Sequence, residues 1–169
     1  MAKQELEAGK RTQIEDPTPQ RRKRIMEKLL AFIEERISIA DLKGIRKDQM
    51  DTLSEMGYIK LKHGRVDEAD IIFKGLTILD HRNAYYHACM GAVHQKKERP
   101  VEAIMEYSIA INLNRRDMSS RVNRGEIYLR HKNYKKAAED FRAAILLDST
   151  GSDLWANRAR SLVIALKAS

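Results

Sequence analysis

The groups best suited to nucleophilic or metal chemistry are one cysteine and five histidines. Cys89 lies between His87 and His94, which suggests either a thiol–imidazole pair or a metal site. The metal reading fails on geometry. On a helix rising about 1.5 Å per residue, seven positions separate the two imidazoles by about 10 Å, too far to share one ion. Cys89 reads better as a small groove or packing residue. His63, His81 and His131 fall beside turn signals and read as surface groups. The carboxylate pairs Asp67-Glu68 and Glu139-Asp140 could divide acid and base roles. They fall near expected helix starts, where the macrodipole already stabilises negative charge. No Gly-rich phosphate loop, G-x-S-x-G turn or metal-ligand spacing occurs. The sequence therefore nominates no catalytic residue, no metal and no cofactor, and a binding protein is expected rather than an enzyme.

Charge is the next feature. The chain has 32 Lys and Arg against 24 Asp and Glu, a formal net charge of +8. The run Arg21-Arg22-Lys23-Arg24 could meet nucleic acid, anionic lipid or an acidic partner. No aromatic interleaves it and no nucleic-acid motif accompanies it, so it reads as a solvated helix start. No stretch approaches the roughly 18–20 apolar residues that span a bilayer, so no membrane partner is expected. The start, Met1 to Lys10, lacks the apolar region of a secretory signal. A single cysteine permits no intrachain disulfide, and a bacterial cytoplasmic location is expected.

The elements that position these residues repeat. Gly57, Gly91 and Gly125 lie 34 residues apart, as do Ala69, Ala103 and Ala137, and the aromatics Phe73, Tyr107 and Phe141. Small, small and aromatic markers in phase at that period are the signature of the tetratricopeptide repeat (TPR), a helix–turn–helix unit. The fold class expected is all-α: a TPR α-solenoid of three repeats, with an N-terminal amphipathic helix and a C-terminal capping helix. Residues 1–20 read as a mobile polar arm, and 21–47 as the first helix and a connector turning at Gly44. The repeats occupy 50–151, divided as 50–83, 84–117 and 118–151, and 152–169 form the cap. Each glycine is expected where helix A crosses its own helix B, and each aromatic between one repeat and the next.

Stacked helix pairs curve, with helices A on the concave side. Counting along each helix A places Ser54, Tyr58, Leu61 and Lys62 in the groove from the first repeat. The second contributes Tyr85, Ala88, Cys89, Ala92, Gln95 and Lys96. The third contributes Val122, Asn123, Glu126, Leu129 and Arg130. Small apolar positions flanked by two tyrosines suit an extended peptide. Some TPR domains grip a C-terminal carboxylate with cationic side chains at set groove positions. Here those positions hold Ser54, Tyr58, Cys89, Ser119 and Asn123, so that mode is not expected. The stripe Ile25, Leu29, Phe32, Ile33 and Ile37 could pack on the first repeat, pair with a second copy or lie on a membrane. Packing or a homodimer is preferred.

Residues 37–45 (ISIADLKGI) followed by 50–64 resemble the entry segment of the class II chaperones of bacterial type III secretion. So do residues 73–80 (FKGLTILD) leading into 83–86 (NAYY), and 91–95 (GAVHQ) followed by 103–111 (AIMEYSIAI). The resemblance covers roughly residues 25–145. It implies a cytosolic chaperone holding an extended segment of a hydrophobic translocator in its groove, with the N-terminal helix mediating dimerisation. On that pattern Tyr58, Lys62, Tyr85, Ala88, Ala92 and Gln95 carry the binding. The alternatives are a TPR scaffold in another bacterial complex and a basic nucleic-acid-associated protein.

Overall fold

A computed structural model of the protein describes residues 18–168, with side chains as far as residue 165. Most of the arm expected over 1–20 therefore lies outside the described residues, and its last two residues, Pro19 and Gln20, are helical. The chain divides into two units, 1–37 and 38–169.

The described part of the first unit is one helix, α1 (Pro19–Ile33), with Pro19 at its first position. Proline is favoured there because that N–H has no helical partner. The helix ends a turn earlier than the apolar stripe suggested. Glu35 adopts a left-handed φ of 54°, and the amides of Arg36 and Ile37 both donate to the carbonyl of Ala31. Ile37 is thus in the turn rather than on the helix face. Ile25, Leu29 and Ile33 are exposed and Phe32 is half-buried.

The second unit begins with α2 (Ile39–Lys43), a single capped turn inside the expected connector. Ser38 and Asp41 cap it reciprocally. The Asp41 amide donates to Ser38 Oγ at 3.1 Å, and the Ser38 amide donates to Asp41 Oδ2 at 2.9 Å. Gly44, at φ 71°, ends it. Three helix pairs follow: α3 (Lys47–Lys62) with α4 (Val66–Leu79), α5 (Ala84–Lys96) with α6 (Pro100–Leu113), and α7 (Met118–Arg130) with α8 (Tyr134–Leu147). The last helix is α9 (Leu154–Ala168). Local chemistry sets these bounds. Asn83, Asp117 and Asn133 accept backbone N–H groups at the starts of α5, α7 and α8. Asp153 does the same for Trp155 and Ala156 at α9.

Each helix from α3 to α9 packs on the next, and α3, α5, α7 and α9 also touch one another in succession. Among the described residues α4, α6 and α8 do not touch one another. The odd-numbered helices are thus drawn together on the inside of a curve and the even-numbered ones spread on its outside. That is the all-α TPR solenoid expected.

The repeat markers have a steric cause. A Cβ on Gly57 would lie 2.9 Å from the Phe73 ring, on Gly91 2.7 Å from the Tyr107 ring, and on Gly125 2.6 Å from the Phe141 ring. Each aromatic thus lies against the glycine of its own helix A, closer to home than the inter-repeat gap expected. It also joins the core of the next helix: Phe73 clusters with Tyr86 and Met90, and Phe141 with Ala159 and Trp155. In α9, Ala159 follows Gly125 by 34 residues, and the cap continues the pattern.

Ion pairs join the layers. Asp140 receives Arg124 Nε at 2.8 Å and Nη2 at 2.7 Å, and Arg124 Nη1 donates to Ser108 on α6 at 2.7 Å. Glu139 and Asp140 therefore lie mid-way along α8, not near its start as the sequence suggested. The buried Asp140 is accounted for by Arg124 rather than by the helix dipole. Lys97 bridges Asp67 at 2.8 Å and Asp70 at 2.7 Å, tying the end of α5 to α4.

Candidate functional site: the concave face

The inner face of α3, α5, α7 and α9 carries two recesses. One, of about 420 Å³, lies at the α3–α5 end and is lined by Asp51, Ser54, Glu55, Asn83, Tyr85 and Tyr86. The other, of about 380 Å³, is lined by Ala92, Gln95, Lys96, Asn123, Glu126, Arg130 and Arg158, with Tyr107 beneath. Tyr107 is fixed as a floor. It is 1% exposed, and its hydroxyl donates to Gln95 Oε1 at 2.9 Å. Burial raises the Tyr107 phenol above its ordinary value, so the group stays a neutral donor.

The structure brings most of the nominated groove residues to this face. Tyr58 and Tyr85 are half exposed, at 50% and 48%. Ala88, Ala92, Gln95, Asn123 and Glu126 are partly open, and Lys62, Lys96 and Arg130 are exposed. Burial raises the Tyr85 phenol, with the neighbouring Cys89, Tyr58 and Glu55 adding to the shift, and its hydroxyl remains protonated.

Three nominations are corrected. Val122 is fully buried and clusters with Phe141 and Ala144. Leu61 is buried in the cluster built round Phe73, and Cys89 joins the same cluster. Ser54 does line the first recess, although it is only 7% exposed. Their positions in the repeat sit on the boundary between groove and core. A branched or long apolar chain there turns inward, whereas the alanines beside them leave the surface open. Leu129 is half-buried, packed on the cluster that holds Phe141.

Cys89 is no nucleophile. It is 6% exposed, and burial pushes its thiol up to about 11, so almost none is thiolate at neutral pH. His87 is equally committed. Its Nδ1 faces Glu106 at 2.7 Å and its Nε2 the His81 carbonyl at 2.8 Å.

Arg158 was missed. It comes from the capping helix and pairs with Glu126, Nη2 to Oε2 at 3.0 Å, closing one end of the second recess. Extending the repeat count into α9 nominates Arg160 instead, but Arg160 turns to Asp148 at 2.9 Å. Desolvation acts against Asp148, yet hydrogen bonds from Arg160, Thr150 and the Asp153 amide hold its carboxyl at about 2.

Helix pairs stacked round a concave face of alanine, tyrosine and polar side chains define a solenoid of the TPR class. Residues 120–150 match the tetratricopeptide repeat family. The chaperone protein SicA of Salmonella typhimurium is 30% identical over 118 residues, which cover 70% of this chain and 72% of SicA. The chain belongs to the family of type III secretion translocator chaperones. Among solved structures, a T3SS complex from Aeromonas hydrophila aligns with a TM-score of 0.76 at 26% identity, covering 83% of this chain and 95% of that one. PcrH in complex with the chaperone binding region of PopD aligns at 0.69 and 25% identity, covering 74% and 96%. The Yersinia enterocolitica translocator chaperone SycD, at 22% identity, shares the fold, with a TM-score of 0.71 over 76% of this chain and 98% of SycD. Among the described residues no helix is long and apolar enough to cross a membrane.

Proposed function

We propose that this protein is a cytoplasmic, non-enzymatic chaperone that holds an extended, partly apolar segment of a hydrophobic translocator in the groove of α3, α5 and α7. The observation that carries the proposal is the open alanine floor at Ala88 and Ala92, flanked by Tyr58 and Tyr85 and lying beside the recess above Tyr107. Alanines let a peptide backbone approach, while tyrosines supply contact area and a hydroxyl at small entropic cost. PcrH, at 25% identity, is known in complex with the chaperone binding regions of PopD and PopB, which supports a segment of a client protein as the occupant. A translocator segment held this way is kept soluble and unassembled until it is secreted. The buried Cys89 thiol and the hydrogen-bonded His87 support a binding rather than a catalytic role.

The exposed Ile25, Leu29 and Ile33 of α1 provide an apolar surface for a homodimer. The test of the main reading is co-expression with a hydrophobic translocator from the same organism. The translocator should be recovered soluble with the wild-type chain, and lost to the pellet or degraded with Ala92→Glu. A translocator that is soluble alone, with a partner bound equally by both proteins, favours a TPR scaffold in another complex.

A further inference from the structure

The lip of the groove at the C-terminal ends of the inner helices carries one cation per repeat: Lys62, Lys96 and Arg130, spaced by 34 residues. All three are exposed. A cation at a helix C-terminus is favoured by the dipole, which accounts for the charge type. It does not account for the pairing pattern. Near two of these residues, other cations are matched with carboxylates. Lys60 meets Glu68 at 2.7 Å, and Lys97 meets both Asp67 and Asp70. Lys62, Lys96 and Arg130 have no such partner among the described residues, although Lys62 and Lys96 lie two positions and one position from paired cations. The second recess shows the same imbalance. Its one carboxylate, Glu126, is taken by Arg158, which leaves Lys96 and Arg130 facing the space uncompensated.

The succession of inner helices has a matching ligand geometry. The helices α3, α5 and α7 touch in succession, and helices in contact lie about 8–10 Å apart. A polyproline II segment, the usual form of an extended chain without a sheet partner, repeats its side-chain direction every three residues, over about 9 Å. Side chains at every third position can therefore meet successive helices of the groove.

Resting on the groove reading above, we infer that this lip binds carboxylates on the client: the occupant is an extended segment with an acidic residue at about every third position, its intervening apolar side chains turned to the alanine floor. The three cations set the register and direction of the segment, and the alanines and tyrosines hold its apolar part. Each contact is solvent-exposed, so the lip adds selectivity more than affinity and weakens as salt rises.

The probes are three fluorescein-labelled twelve-residue peptides with the same Ala, Val and Pro residues: one with Glu at every third position, one with Gln there, and one with its Glu residues adjacent. Anisotropy is measured at low salt with the full chain, with the triple variant Lys62→Gln/Lys96→Gln/Arg130→Gln, and with Ala92→Glu. Circular dichroism verifies the fold of each variant. The spaced-Glu peptide should bind wild type on the order of tenfold tighter than the Gln peptide, and tighter than the adjacent-Glu peptide. The triple variant should bind the spaced-Glu and Gln peptides equally, and Ala92→Glu should lose both. Equal binding of the spaced-Glu and Gln peptides by wild type, both lost in Ala92→Glu, overturns the carboxylate lip and leaves the groove reading standing. Equal binding of spaced and adjacent Glu reduces the effect to net charge and also overturns it. Binding that survives Ala92→Glu overturns the groove reading itself.

Discussion

The same substitution, glycine to alanine, should have opposite effects at two helical positions. At Gly91 the added methyl would sit 2.7 Å from Cδ1 and Cε1 of Tyr107 and 3.0 Å from its Cγ. That ring cannot move cheaply, because it is 1% exposed and its hydroxyl is held by Gln95. Overpacking of this kind costs about 1–3 kcal/mol. The helix-propensity gain of alanine over glycine, about 1 kcal/mol, offsets part of it. A net loss of up to about 2 kcal/mol is expected, lowering Tm by up to about 8 °C for a chain of this size. At Gly75, inside α4, the new methyl meets nothing within 4 Å, so only the propensity gain remains, about 0.5–1 kcal/mol. Urea and thermal unfolding followed by circular dichroism would compare the two variants with wild type. A Gly91→Ala protein as stable as Gly75→Ala would refute the claim that the glycine exists to admit the tyrosine ring. Because Tyr107 is the groove floor, Gly91→Ala should also weaken client binding, and Gly75→Ala should leave it unchanged.

Phe141→Ala removes a fully buried ring between α7, α8 and α9 and should cost about 3–5 kcal/mol in urea unfolding. The hydrogen bond to Glu106 raises the His87 pKa above 6.5, against the opposing effect of burial, and the His81 carbonyl adds to the rise. A raised folded-state value means the imidazolium stabilises the fold fully below pH 6.5 and progressively less as pH climbs through that higher value. The stability gap between wild type and His87→Gln should therefore be widest in mild acid and narrow toward alkaline pH. A gap that widens with pH would reverse the assignment. Leu29→Glu on α1 should shift the protein toward monomer in light scattering without altering its helical content. An unchanged dimer, or a wild type that is monomeric at high concentration, would remove α1 from the interface.

The fold was legible because steric demands recur. Only a glycine admits the ring of Tyr107 or Phe141 at the helix crossing, so the requirement reappears at 57, 91 and 125. Helix ends were legible for a similar local reason, since Asn83, Asp117 and Pro100 act within a turn of their own position. The groove was legible only in part. Repeat counting treats Ala88 and Val122 as equivalent, but the branched valine turns into the core while the alanine leaves backbone open. The pairs Arg124–Asp140 and Arg158–Glu126 were illegible, because they join residues 16 and 32 positions apart on different helices. The end of α1 was missed because a left-handed Glu35 breaks a stripe that continues in sequence to Ile37.

The most direct test of the central claim is structural. The full chain would be co-purified with a hydrophobic translocator of the same organism and the complex solved. The account predicts an extended translocator segment lying along α3, α5 and α7, with apolar side chains against Ala88 and Ala92 and no complex recovered from Ala92→Glu. A translocator bound on the outer face of α4, α6 and α8, or held equally well by Ala92→Glu, would contradict it.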